Sequence, residues 1–275
     1  MPENIEQAPA RKDLAAFIIM CLATYLGLIN IQIVNSSFKE IQGGLAIGPE
    51  QVSWVLTSTL IAEVIMLPVA GWLCRLFSTK WLFAGCLFGF TLASAGCAIA
   101  WNLESMIAFR ALQGFCGGAL MPLVFATTYH VFPRHQHTAV MTILSFVLVT
   151  PIAIAPLVGG WITEALTWRW MFWFSIPPGI ILMLASIAFI KIDKTEFSLA
   201  RNIDFLGIAL AAASLLFLIV VLEEGRRHDW FDSRLILALA TASVISAYLF
   251  IWRELTCQHP VVDLKVFVNQ DFSVG

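Results

Sequence analysis

MIAFRALQGFCGGALMPL, residues 106–123, reads as the body of a membrane helix that nevertheless carries Arg110 and Gln113. Arginine cannot shed its charge to escape a low-dielectric setting. Inside a bilayer it must reach carbonyls, a carboxylate or water, or else extend to the interface about four positions away. Working outward, the whole chain shares the character of this stretch. Of its 275 residues 59% are hydrophobic and 12% charged, against about 25% charged in an ordinary soluble domain. Mean hydropathy is +0.84. The composition defines an all-α, polytopic membrane protein with the lipid bilayer as its solvent. A net charge of −2 and the lack of a basic arm give no sign of a nucleic-acid partner. The six cysteines fall mostly inside apolar runs without metal-ligand spacing and read as small packing residues.

Apolar runs of the length a bilayer demands are expected at roughly 14–36, 51–73, 81–101 and 106–129. Four more follow at roughly 137–163, 169–191, 204–222 and 234–252. The polar start, MPENIEQAPARKD, precedes a run long enough to span, which argues for an uncleaved first helix. Lys and Arg in the connections orient the chain. One set holds Arg11, Lys12, Arg75, Lys80, Arg134, Lys191, Lys194, Arg201, Arg253 and Lys265; the other holds Lys39, Arg169, Arg226, Arg227 and Arg234. Ten against five puts the N-terminus in the cytoplasm. The last residues, QHPVVDLKVFVNQDFSVG, turn apolar again as the sequence stops and read as a chain cut before a further helix.

Polar side chains in lipid are expensive and mark protein interiors or cavities. Here they are Asn30, Gln32 and Asn35 in the first span, Glu63 in the second, and Arg110 and Gln113 in the fourth. The fifth span adds Pro151, Pro156, Gly159 and Gly160. With a rise of about 1.5 Å per residue, Asn30, Arg110, Gln113 and Pro156 all fall roughly 6–10 Å outside the bilayer midplane. They therefore share a layer. Helix phase splits the amides of the first span: Gln32, Asn35 and Ser36 share a face, and Asn30 points away from Gln32. Glu63, near mid-span, either exchanges a proton, stays protonated, or pairs with a neighbour. The stretch TPIAIAPLVGGW serves either close helix packing or bending.

These residues resemble the major facilitator superfamily, specifically its fourteen-helix drug/proton antiporters of the EmrB and QacA type. MIAFRALQGFCGGALMPL is similar to the fourth-helix motif, with Arg110, Gln113 and Gly114 at signature positions. IAPLVGGW (154–161) is similar to the fifth-helix antiporter motif, with Ala155 where glycine is usual and Pro156, Gly159 and Gly160 retained. WRWMFWFSIPPGI (168–180) resembles the start of the sixth helix. Asn35 matches the first-helix motif, whereas Asn30 stands where that motif has aspartate. The cytoplasmic loop motif appears as GWLCRLFSTK (71–80): Gly71, Leu73 and Lys80 survive, Arg75 replaces the acid, and Ser78 replaces the second glycine.

The resemblance implies a cytoplasmic tail (1–13), an N-terminal six-helix bundle (14–191) and a linker with two membrane helices (192–252). It further implies a cytoplasmic segment (253–275) leading to a second bundle. The implied activity is export of small amphipathic or lipophilic compounds across the inner membrane by alternating access, driven by the proton gradient and without a cofactor. An adaptor protein spanning the periplasm is a partner the resemblance allows. Asn30 cannot titrate, so Glu63 becomes the proton carrier, Arg110 the organiser of a network with Asn30 or Gln113, and Pro156 to Gly160 the bending element. The alternative is a truncated paralogue that regulates a partner, or a half-transporter that needs one. No nucleophile, metal cluster or nucleotide P-loop is visible, so the chain is not expected to be an enzyme.

Overall fold

A computed structural model describes residues 11–191 and 204–257, the side chain of Arg75 excepted. Eight of its helical stretches are long and apolar enough to cross a membrane. The first span is α1 (Arg11–Ser36). A short connector, α2 (Phe38–Leu45), ends on Ala46 in the left-handed conformation, φ 53°. It leads to α3 (Pro49–Ala98), which holds the spans Pro49–Cys74 and Leu76–Ala98. The fourth span comprises α4 (Leu103–Gly117) and α5 (Leu120–Val131). The fifth is α6 (His137–Ala165). The sixth comprises α7 (Trp170–Trp173) and α8 (Ile176–Phe189). Last come α9 (Phe205–Glu224) and α10 (Arg234–Thr256).

Local sequence explains several of the boundaries. Pro49 starts α3 where its missing N–H is not needed, and the Gln51 side chain accepts from the Gly48 N–H at 3.0 Å. Asn102 caps α4 by accepting from the Ser105 N–H at 2.8 Å, satisfying a donor that the first turn leaves free. The third span differs from expectation. The break between the two spans of α3 falls at a single non-helical residue, Ser78, with φ 67° and ψ 154°, and helix resumes at once, about two residues before the expected apolar run.

Close approaches at glycine give the helix directions. A Cβ at Gly114 would strike Thr59, and one at Gly118 would strike Glu63, so α4 runs parallel to the first half of α3. A Cβ at Gly89 would strike Cys116 and one at Gly96 would strike Phe109, the reverse order, so the second half runs antiparallel. Two apolar clusters fill the bundle. One gathers Phe17, Met20, Phe83, Leu87, Leu120 and Val124 towards the end where α1 begins. The other gathers Ile33, Val52, Val55, Cys97, Met106 and Phe172 towards the opposite end. Between these clusters lie buried polar residues, among them Asn30 of α1, Thr59 and Ser94 of α3, Arg110 and Gln113 of α4, and Ser175 at the start of α8. Burial of apolar surface on both sides holds that layer away from lipid and water.

The α9–α10 hairpin lies along the first half of α3. Trp72 and Phe205 sit with ring centroids 6.2 Å apart at one end. At the other, Arg227 Nη1 donates to the Glu50 carbonyl at 3.1 Å and Nη2 to Ser53 Oγ. Within the hairpin, Ser243 Oγ donates to the Ser214 carbonyl at 2.9 Å. Arg253 Nε reaches Asp204 Oδ2 at 3.0 Å.

Candidate functional site

Arg110 is wholly buried, with no exposed surface, and so does not extend to the interface. Its Nε donates to the Val55 carbonyl at 3.3 Å and its Nη1 to Gln113 Oε1 at 2.7 Å. Gln113 Nε2 donates onward to Asn30 Oδ1 at 3.1 Å and to Ser94 Oγ at 2.7 Å. Asn30 Nδ2 then donates to Ser175 Oγ at 2.7 Å and to the Met171 carbonyl at 3.4 Å. One hydrogen-bonded chain thus joins both halves of α3 to α4, α1, α7 and the residue that opens α8. Glycine makes this possible. Gly114 and Gly118, one and two turns beyond Arg110, let α4 lie against the backbone of Thr59 and Glu63. That contact brings the Arg110 side chain to Val55, one turn before Thr59. Small residues spaced in this way are how membrane helices approach closely.

The charge balance of this hub is incomplete. Arg110 Nη2 is buried and has no hydrogen-bond partner among the described residues. No described carboxylate lies within ion-pair distance of it. An arginine at the centre of a span costs about 2.5–3.5 kcal/mol on insertion scales. Its one interhelical bond, to the Val55 carbonyl, is worth about 0.6 kcal/mol on the membrane average, and the bond to Gln113 lies within α4, so only a fraction of that cost is offset. Glu63 is partly buried on the α3 face that meets Gly118, two turns along α4 from Arg110. No hydrogen bond to Glu63 is formed among the described residues.

The structure therefore brings together Asn30, Arg110 and Gln113, with Glu63 nearby. Asn35 is elsewhere: it is exposed and donates to Gln32 Oε1 at 3.1 Å, in keeping with the helix phase. In α6, Pro151, Ala155 and Gly159 form one buried face. A Cβ at Gly159 would come within 2.8 Å of Ser37 Oγ and 2.9 Å of Ser36 Oγ, so this face is pressed against the end of α1. Pro156 and Gly160 are exposed, on the flank of the helix one residue round from that face. The helix runs on through both prolines without interruption. Gly71 lines a cavity at the end of the bundle where α1 begins, and Lys80 Nζ sits 5.3 Å from the ring of Trp81. The side chain of Arg75 lies outside the described residues, as do residues 1–10 of the tail, 192–203 of the linker and 258–275 of the final segment.

Sequence reasoning did not find Ser94, Ser175 or the Val55 carbonyl. The two serines sit in apolar stretches where a small hydroxyl residue is unremarkable, and only their depth, level with Gln113 and Asn30, could have signalled them. Gly118, four residues after Gly114, was visible as a small-residue repeat.

A helical bundle whose first, second, third, fourth and sixth spans converge on a buried arginine hub invites comparison with known transporters. Residues 15–259 match the sequence model of the Major Facilitator Superfamily. The chain belongs to that family of membrane transporters. It is 35% identical over 267 residues to the colistin resistance protein EmrB of Acinetobacter baumannii, covering 97% of this chain and 52% of that protein. To the multidrug export protein EmrB of Haemophilus influenzae it is 32% identical over 258 residues, covering 94% and 50%. The chain spans about half the length of the curated relatives it matches. Among solved structures it is similar to the human organic anion transporter MFSD10, with TM-score 0.58, 14% identity and coverage of 78% and 56%. It also resembles a bacterial homologue of the human lysosomal transporter Spinster, with TM-score 0.56, 14% identity and coverage of 93% and 66%. These two likenesses concern the fold alone.

Proposed function

We propose that the chain is the N-terminal part of a proton-coupled multidrug efflux transporter of the inner membrane. It exports amphipathic or lipophilic compounds by alternating access, with its N-terminus in the cytoplasm. Residues 14–191 form the first bundle, 192–252 the linker with α9 and α10, and 253–275 the approach to a second bundle. An adaptor spanning the periplasm is a further partner of this reading. The names of the EmrB relatives support the substrate class, and the excess of Lys and Arg on one set of connections supports the orientation.

The observation that carries the mechanism is the buried Arg110, whose Nη2 has no hydrogen-bond partner and which has no acid bonded to it among the described residues. Asn30 stands where the resembling motif has an acid, bonded to Gln113 and not to Arg110, and it cannot take up a proton. Glu63 supplies the missing titratable group. Ionised, it balances Arg110 across the middle layer; protonated, it leaves the guanidinium uncompensated and favours a rearrangement of α3 against α4. Proton uptake on one side and release on the other then drive the two conformations in turn. Pro156 and Gly160, on the exposed face of α6, border the space where the second bundle would pack.

The test is proton-driven drug export by the full-length protein in inverted membrane vesicles, with membrane insertion measured in parallel. Glu63→Gln and Arg110→Ala are each expected to insert normally and to lose export. Wild-type export by Glu63→Gln would remove that residue from the mechanism. Asn30→Asp is expected to change the pH dependence of export, and an unchanged profile would separate position 30 from coupling.

A further inference from the structure

At the end of the bundle where α1 begins lies a cavity of about 660 Å³, within the 300–1,000 Å³ range typical of small-molecule sites. It is separate from the hub. Its walls come from α1, α3, α5 and the residue following α8, and its apolar lining includes Ala70, Leu123 and Val131. Two opposite charges line it as well, Asp13 from the first turn of α1 and Lys191 just beyond α8. Neither forms an ion pair or hydrogen bond among the described residues. The dipoles of α1 and α8 favour these signs at these ends. Helix dipoles do not explain why both charges border one cavity without bonding to each other. Thr79, Thr127 and the His130 imidazole add hydrogen-bonding groups beside them.

We propose that this cavity binds a zwitterionic amphiphile, its ammonium group beside Asp13, its anionic group beside Lys191 and its apolar body against Ala70, Leu123 and Val131. All the described residues that line it come from one bundle. In the orientation proposed above, on which this part of the inference rests, it opens to the cytoplasm and is a loading or regulatory site distinct from the hub. Gly71 keeps it open: a Cβ there meets no atom within 4 Å, so a larger side chain takes up cavity volume without clashing at its base.

Three dansyl probes with the same apolar body separate the contributions of charge: Nε-dansyl-lysine is zwitterionic, dansylcadaverine cationic and dansylglycine anionic. Binding to the full-length protein in phosphatidylglycerol nanodiscs is read from dansyl fluorescence at equilibrium, without a proton gradient. Nε-dansyl-lysine is expected to bind roughly tenfold tighter than either singly charged probe, the margin of one charge-assisted contact. Asp13→Asn should bring its affinity down to that of dansylglycine, and Lys191→Gln down to that of dansylcadaverine. Gly71→Leu should abolish binding of all three. Replacing half the lipid with phosphatidylcholine separates two sources of the same chemistry. Weakened probe binding assigns the site to a lipid headgroup, and unchanged binding assigns it to a soluble compound. Equal affinity for the three probes, or Asp13→Asn and Lys191→Gln within twofold of wild type, would overturn the proposal. Arg110→Ala should retain probe binding while losing export, so failure of the transport reading and failure of this site give different results.

Discussion

Ser78 gives a prediction whose sign is fixed by the backbone. With φ 67° and ψ 154° it occupies a region that is essentially glycine's own, and a side chain there costs about 1–3 kcal/mol. Replacing it with glycine removes the Cβ and that strain. The added freedom of glycine in the unfolded chain returns about 0.5–1 kcal/mol, leaving a net stabilisation of about 1 kcal/mol. For a chain of this size that corresponds to roughly 2–4 °C in melting temperature. The ten tryptophans provide an intrinsic fluorescence signal for thermal unfolding in dodecyl maltoside. Ser78→Ala is the control: it keeps the Cβ and should melt no higher than wild type. If Ser78→Gly melts at or below wild type while Ser78→Ala equals it, the second span does not join the third through a strained residue and the reasoning fails. The resemblance noted from sequence has glycine at this position, as the backbone conformation requires.

Gln113→Leu removes an acceptor for Arg110 and the donors to Asn30 and Ser94, three bonds at about 0.6–1.7 kcal/mol each, for a loss of roughly 2–5 kcal/mol. Equilibrium unfolding by titration with dodecyl sulfate measures it. Gly118→Ala places a Cβ 2.6 Å from the Glu63 carbonyl oxygen and should destabilise by about 1–3 kcal/mol in the same titration. Gly160→Ala meets nothing within 4 Å and should be neutral or stabilise by up to about 1 kcal/mol; equal losses for the two alanines would contradict the helix contacts described. Asp204→Asn and Arg253→Met should each release the start of α9 from the end of α10, measured as faster amide exchange at Gly207. The double variant should exchange no faster than either single variant.

The spans were legible because lipid imposes a length and a composition that few soluble segments meet. Their ends were less so, since helix extends over polar residues such as Thr79 and Lys80 once hydrogen bonding is in place. That Asn30 lies level with Gln113 and points away from Gln32 followed from depth and phase, two quantities a regular helix carries in its numbering. Depth and phase could not supply partners. Arg110 ends on a main-chain carbonyl of Val55, and no side-chain pattern reports a backbone acceptor. Ser175 enters the hub from a bend between α7 and α8, where regular helical phase no longer applies. Asp204 and Arg253 lie 49 residues apart, and only the pairing of α9 with α10 unites them.

The hub reaches five of the six spans of the bundle and leaves out α6. Every other span is stitched through a directional bond that a one-turn slip would break. By contrast, the middle of α6 meets its neighbours through Pro151, Ala155 and Gly159, with Val140, Leu144 and Ile162 packed towards its ends, and among the described residues no side-chain hydrogen bond ties it to another span. Shear between packed helices needs such a smooth contact. The bundle is thus mechanically uneven, a braced frame carrying one sliding member, and motion arriving from a neighbouring domain would be taken up along α6 before it strained the arginine at the centre.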